Sequence, residues 1–299
     1  LVHDQAARLR SKLNERRTSE RSNPQSTNAE VLSIVSGKGG VGKSNIALNF
    51  SLGLVEKGYR VLLFDLDIGM ANVDILLGQS ATYSIVDMLE QQMPISTIIE
   101  TGPKGLSYVA GGSGLNDLFR MDDARMAFFT EQLTQLDQDY DFILFDMGAG
   151  ATEDSLKFIL SSHEVILITT PEPTSITDAY AMVKYIHMHD HNLGLSLMIN
   201  RSESEKEGKQ TGRNLQNVCR QFLKKEVRLL GAIPQDETVL KAVKAQVPFT
   251  IHSPAAKSTK ALRKTVSFFI GERIQQEEQR TFSSFVSKFK RVFQPHKEE

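Results

Sequence analysis

The sequence predicts an α/β fold: a doubly wound, mostly parallel sheet with helices on both faces. Three observations predict it. Near-continuous apolar runs recur along the chain, as central parallel strands covered on both faces require. Stretches of helical spacing lie between them, so strands and helices alternate. A glycine-rich turn follows the first run and opens the first helix, which sets a ligand site at the carboxyl ends of the strands. With 299 residues the chain can bury one large core of this kind.

In chain order, residues 1–16 carry Val2, Ala6, Leu9 and Leu13 at helical spacing, and 17–30 is a polar linker containing Pro24. The core domain is expected over 31–277. It begins with the strand "VLSIVS" at 31–36. "RVLLFD" (60–65), "DFILFD" (141–146), "EVILIT" (164–169) and "LSLMIN" (195–200) are further central strands. "GLSYVAGG" (105–112) and "VRLLGAIP" (227–234) add two more. Helices are expected over 44–57, 123–137, 152–161, 174–189 and 211–224, with a solvated loop at 201–210. Residues 235–277 read as helix, loop and helix finishing the same domain.

The tail, 278–299, differs. Phe282, Phe285, Val286, Phe289, Val292 and Phe293 fall within an arc of about 120° at ~100° per residue, flanked by Lys288 and Lys290. An apolar stripe with lysines placed to reach headgroups is expected to be an in-plane membrane anchor. A last core helix and a partner-groove helix are the alternatives. The terminal position, after the charged "GERIQQEEQR", favours the anchor.

Bulk properties exclude several classes. A net charge of −1 gives no global attraction to nucleic acid, and none is expected as a direct partner. The one cysteine, Cys219, rules out a disulfide framework and a Cys-x-x-Cys metal site, and suits a reducing cytosol. No run approaches ~18 apolar residues, and no charged-then-apolar leader opens the chain, which starts at Leu1 and is expected to be trimmed there.

The chemistry concentrates in "SGKGGVGKSN", 36–45, with the phosphate-loop pattern Gly37-x-x-x-x-Gly42-Lys43-Ser44. Gly37, Gly39, Gly40, Val41 and Gly42 supply backbone N–H groups around phosphate oxygens, and the helix opening at Lys43, Ser44 and Asn45 adds its dipole. Lys43 is placed to reach the β- and γ-phosphates, and Ser44 to hold Mg²⁺. A second lysine, Lys38, is not required by that pattern. Asp65 and Asp67 end a strand, where a carboxylate can orient a water or hold Mg²⁺ through water. Asp146 ends another strand before Gly148 and Gly150, the place of a Mg²⁺-side acidic group. Asn200 has an amide able to match an adenine edge, and is equally readable as a turn residue. His187 and His191 share a helix face with no clear third ligand, and are expected to be cations near a helix C-terminus.

"KGGVGKS" and the ordered motifs after it, across about residues 31–250, resemble the MinD/ParA group of ATPases with a deviant phosphate loop. The resemblance implies ATP or ADP with Mg²⁺ as cofactors, and slow hydrolysis. It implies that Lys38 reaches across an ATP-sandwiched homodimer to the partner's phosphates. Asp67 would position the attacking water, and Asp146 would be the switch II aspartate; with Ser44, these two make the Mg²⁺ side. Asn200 and Arg201 would read adenine, with Pro234, Asp236 and Glu237 as the other edge. Asp146-Met-Gly148-Ala-Gly150 departs from the Asp-x-Pro-x-Gly usual in MinD.

One cysteine argues against the iron–sulfur carriers of this group. Ahead of the core, Asp4, Gln5, Ala6, Leu9 and Arg10 are similar to the "DQAxxLR" segment of the FlhG (FleN or YlxH) family of flagellar-number regulators. That likeness implies stimulation of an FlhF-type GTPase and partners among basal-body and C-ring proteins. It also implies a place in the cytoplasm and at the inner face of the cytoplasmic membrane, on anionic lipid. A cell-division or chromosome-positioning ATPase, and an ATP-binding adaptor with negligible turnover, remain as alternatives.

Overall fold

A computed structural model of the chain describes residues 29–67, 72–112, 123–150, 153–275 and 281–293. Its strands are β1 (Glu30–Ser36), β2 (Val61–Leu66), β3 (Glu100–Thr101), β4 (Ser107–Val109), β5 (Phe142–Ala149), β6 (Glu164–Thr169), β7 (Gly194–Ser202) and β8 (Arg228–Pro234). Its longer helices are α1 (Lys43–Glu56), α5 (Asp123–Thr134), α6 (Glu153–Ser161), α7 (Pro173–His189), α8 (Glu205–Val218), α9 (Glu237–Lys244), α11 (Lys257–Gln275) and α12 (Phe282–Phe293). Short helices α2 (Val73–Leu77), α3 (Ile85–Gln91), α4 (Ile95–Ile98) and α10 (Phe249–His252) fill the connections.

The strands make one eight-stranded sheet in the order β3-β4-β2-β5-β1-β6-β7-β8. All pairings are parallel except β3 with β4 at one edge. The apolar runs become strands because both faces are covered. Helices α1 and α11 and the short α10 seal one face; α5, α6, α7 and α12 seal the other. β1 is therefore buried along its whole length.

The sheet is tied at its amino end by charge. Glu164 at the start of β6 accepts from Arg228 of β8 and Arg273 of α11, each at 2.6 Å. Arg273 also pairs with Glu30 of β1, and its guanidinium lies 4.4 Å from the Phe269 ring. This fixes the end of α11 against the sheet.

Three local expectations change. Residues 201–210, expected as a loop, begin α8 at Glu205, and the helix gives way to a π turn at Cys219–Leu223. Ser204 caps α8 by accepting the Glu207 N–H, with Glu205 and Glu207 in the first turn complementing the helix dipole. Its glycines look loop-like in sequence but serve close packing. A Cβ at Gly212 would stand 2.6 Å from Leu229 of β8. Helices α2, α3 and α4 were not expected, because each is too short to show a period. Residues 1–28, with Asp4, Gln5, Ala6, Leu9 and Arg10, lie outside the described residues.

The third change concerns the tail. Its apolar stripe was expected to be a membrane anchor, with packing on the core as the alternative; here α12 is docked on the core, as that alternative has it. Phe282, Phe285, Val286 and Phe289 are buried. The Phe285 ring centroid is 5.7 Å from Phe145 of β5, and that of Phe289 is 5.0 Å from Phe158 of α6. Val292 and Phe293 are half-buried, and the Lys157 ammonium lies 5.2 Å over the Phe293 ring. Lys288 comes 4.0 Å from Asp190, and Lys290 stays exposed. His163 pins the first turn: its Nδ1 accepts the Val31 N–H at 2.9 Å, so Nε2 carries the proton and donates to the Thr281 carbonyl at 3.0 Å. The stripe was legible, but a sequence pattern does not say whether protein or lipid covers it.

Docking of this kind predicts that Phe285→Ala lowers stability by about 3–5 kcal/mol, the usual loss for a fully buried phenylalanine. Denaturant unfolding of the full chain checks it; a stripe exposed to solvent would give close to no change.

Candidate nucleotide site

The site forms where β1, β2, β5 and β7 end on the same edge of the sheet. The loop 37–42 leaves β1 and closes on α1. Gly42 has φ 87°, a left-handed conformation that favours glycine, and a Cβ there would meet Asn200 Nδ2 at 2.6 Å. Gly37 passes so close to α7 that a Cβ would fall 2.4 Å from the Asp178 carbonyl group. The loop is thus held between β7 and α7, and Gly39, Gly40 and Gly42 line a cleft of 810 Å³. Asn72, Leu76, Arg201, Pro234 and Leu240 line the cleft with it, a mixture of apolar wall and few polar groups suited to a nucleotide.

Lys43 enters this cleft and is nearly fully buried. Its Nζ donates to Asp146 Oδ1 at 2.5 Å and to Ser44 Oγ at 3.3 Å, and stands 3.6 Å from Asp67 Oδ2. Parallel register places Asp65 of β2 beside Asp146 of β5, so three carboxylates share one small volume. Burial first, and then the Asp146 charge, raise the Asp65 pKa to about 6 against the backbone N–H groups of Val73, Asn72 and Asp67 that lower it. Burial also raises Asp67; the Lys43 ammonium opposes that shift, and Asp146 adds to it.

Oxygen donors from Ser44, Asp67 and Asp146 converge near one lysine, which suits a hard divalent cation. Asp146 Oδ2 is buried with no hydrogen-bond partner, an acceptor that a Mg²⁺-bound water would satisfy. No group of three or more His, Cys, Asp or Glu forms a ready metal cage among the described residues.

The other expected residues fall into two sets. Asn200 lies at the cleft with its Nδ2 donating to the Val41 carbonyl at 2.8 Å, and Arg201 lines the same wall at φ 56°. Pro234 and Glu237 also line it. Asp236 borders the cleft, but its carboxylate is committed elsewhere. It accepts from the Thr238 N–H at 3.0 Å and from the Ser258 N–H at 3.2 Å, joining α9 to α11. Burial would raise its pKa, and the hydrogen bonds from Thr238 and Ser258 outweigh that and leave it lowered. Gly39, Gly40, Val41 and Asn45 follow the loop into α1 as expected.

Lys38 points away from the chain's own cleft. Its Nζ donates to Glu172 Oε2 at 2.9 Å and to Thr174 Oγ1 at 3.1 Å, at the start of α7. The hydrogen bond from Lys38, and then its charge, lower the Glu172 pKa. Neither Glu172 nor Thr174 was singled out by sequence, because nothing local in "PEPTS" marks a lysine acceptor. His187 is corrected as well. Its Nε2 lies 3.3 Å from His191 Nδ1, a contact two imidazolium rings would not share. Burial, then the His191 and Lys225 charges, lower the His187 pKa, so it is not the cation expected.

Fold and loop together define a phosphate-loop nucleotide-binding protein of the doubly wound class. The ParA family model, described as NUBPL iron-transfer P-loop NTPase, matches residues 27–269, and the chain belongs to this family. The antiactivator FleN of Pseudomonas aeruginosa is 33% identical over 235 residues, 78% of this chain and 84% of that protein. The flagellum site-determining protein YlxH of Helicobacter pylori is 34% identical over 247 residues, 80% of this chain and 81% of that one. Among solved structures, the septum site-determining protein MinD of Pyrococcus horikoshii, complexed with Mg-ADP, superposes with a TM-score of 0.68 at 25% identity. The likeness covers 84% of this chain and 100% of that one.

Two outcomes follow from this geometry. Lys43→Ala should weaken binding of a fluorescent ATP analogue at least about tenfold, since it removes the buried phosphate-side cation. Asp65 also imposes a pH dependence. Its folded-state pKa is raised, so the folded protein takes up a proton as pH falls through about 6. The ionised carboxylate therefore costs stability above that pH, and the cost is relieved on acidification. Relative to Asp65→Asn, the wild type should lose up to about 3 kcal/mol of stability between pH 4 and 7.5, at 1.36 kcal/mol per unit. Denaturant titrations at several pH values check the slope.

Proposed function

We propose that the protein is a slow, Mg²⁺-dependent ATPase switch that dimerises around ATP, associates with the cytoplasmic membrane and regulates flagellar number or placement. The observation that carries the reading is the division of labour between two lysines of one loop. Lys43 is buried in its own cleft, while Lys38 is a third exposed and turned outward to Glu172. A lysine so placed fits delivery to a second copy, where it would stabilise charge developing on the transferred phosphoryl group. Within the site, Ser44, Asp67 and Asp146 would hold Mg²⁺, which supplies charge neutralisation at the phosphates. Lys43 would leave Asp146 for the phosphates, and Asp67 would orient the water. Asn200 and Arg201 would meet the adenine. The flagellar assignment is supported by the FleN and YlxH relatives and by the Asp4–Arg10 segment, which would act on an FlhF-type GTPase.

Membrane binding would use the α12 stripe after it leaves the core. Each buried phenylalanine contributes about 1.5–3 kcal/mol of transfer free energy, so release into water is strongly opposed. Transfer from the core to lipid exchanges one apolar surrounding for another, which keeps the switch within reach of a modest bias. The connection to the nucleotide is short: α12 packs on α6, the helix that follows Asp146. Two released tails in one dimer would bind far better than one.

Light scattering with Mg²⁺ and a slowly hydrolysed ATP analogue should report a dimer for the wild type and a monomer for Lys38→Ala. Asp67→Ala should keep the dimer and lower turnover at least about a hundredfold. Flotation with anionic vesicles should need nucleotide and weaken in Lys288→Glu/Lys290→Glu, which leaves the buried stripe intact. A peptide of residues 1–16 should accelerate GTP hydrolysis by an FlhF-type GTPase. A wild type that stays monomeric sinks the dimer reading, and a peptide without effect sinks the flagellar one.

A further inference from the structure

Asp65, near the end of β2, and Asp67, just past it, have different partners. Asp67 faces Lys43 and lines the cleft. Asp65 is 1% exposed and turned into the protein. Its Oδ1 accepts the N–H of Asp67 at 3.2 Å, and its Oδ2 accepts the N–H of Asn72 at 2.7 Å and of Val73 at 3.0 Å. The Asn72 side-chain amide in turn donates to Asp67 Oδ2 at 3.4 Å. One carboxylate thus holds the backbone at Asp67 and at the start of α2, and the residue it holds at α2 steers the Asp67 carboxylate.

We infer that Asp65 is a positioning residue for ATP hydrolysis: it sets where the Asp67 carboxylate stands and does not itself touch the nucleotide. The inference rests on the ATPase reading above. Both Asp65 oxygens are committed to backbone donors, so neither is left to bind a metal or activate a water. A carboxylate is needed because donors arrive at both oxygens. Asparagine has the same shape but one acceptor, and its amino group would face a backbone N–H on the other side. The clip then opens at Asp67 or at α2, and in both cases the Asp67 carboxylate loses its place. Misplacement by about 1 Å is enough to cost a hundredfold in rate.

The test compares Asp65→Asn with wild type, in the full chain. The expected result is a kcat lower by about tenfold to a hundredfold with KM for ATP within about threefold, since binding groups are untouched. In the Asp67→Ala background, Asp65→Asn should add little, because it acts through Asp67. Hydrogen exchange at residues 72–77, read by mass spectrometry without nucleotide, should speed up. A wild-type kcat in Asp65→Asn overturns the inference. So does a full additional loss on top of Asp67→Ala, or a KM and melting temperature that move together with kcat, which would mark a role in folding alone. If wild type itself hydrolyses no ATP above the blank, the ATPase reading falls and this inference falls with it; unchanged exchange at 72–77 beside normal wild-type turnover removes the clip while leaving the ATPase reading standing.

Discussion

One ammonium sits among three carboxylates at the carboxyl edge of the sheet. Lys43 bonds to Asp146 and stands close to Asp67, with Asp65 beside Asp146 in register. Without that cation, neighbouring buried negative charges would repel one another in a poorly screening interior. The arrangement depends on three parallel strands ending together, which in turn depends on helices covering both faces. It is also poised. A lysine held by carboxylates can be given up to phosphate when a divalent cation arrives to take its place beside them.

The second lysine works under a different constraint. Lys38 belongs to the same loop but lies on the far side of Gly39 and Gly40, where the chain turns toward α7. Glu172 and Thr174 hold it there, in an exposed pair of the kind that contributes little to stability. A weak pair is suited to being broken. On the proposed reading, the strongly held lysine and the loosely held one would divide the loop into a part that keeps the nucleotide and a part that can leave. The ParA family membership and the FleN and YlxH relatives give this division a setting in nucleotide-switched regulators.

On the proposed membrane reading, the tail would be a second exchangeable contact, on the opposite face of the sheet from α1. Its phenylalanines complete the core between α5, α6 and β5. On the same reading, that face would have two competing surroundings of similar polarity, the core and a bilayer. His163 and Asp190 add polar contacts that favour the docked one. The docked helix touches α6, and α6 starts just after the Asp146 strand, so the two exchangeable contacts share a mechanical neighbour.

The sequence by itself determined the sheet, the loop and the site's location. Continuous apolar runs can only be central strands, and the spacing from Gly37 to Ser44 leaves one conformation that serves a phosphate. It also singled out Asp67, Asp146 and Asn200, which the structure brings to the same cleft edge, just past β2 and near the carboxyl ends of β5 and β7. Only the tertiary structure gave Asp65 its own role, since the N–H groups of Asn72 and Val73 reach its carboxylate only once α2 is placed, while Asp67 just past the strand faces Lys43. It turned a glycine-bearing loop into α8, because close approach to β8 was invisible along the chain. It committed Asp236 to a cap and gave Lys38 its acceptor in Glu172, 134 positions away. It laid the tail's stripe on the core, because a one-dimensional pattern records that a face is apolar and not what lies against it.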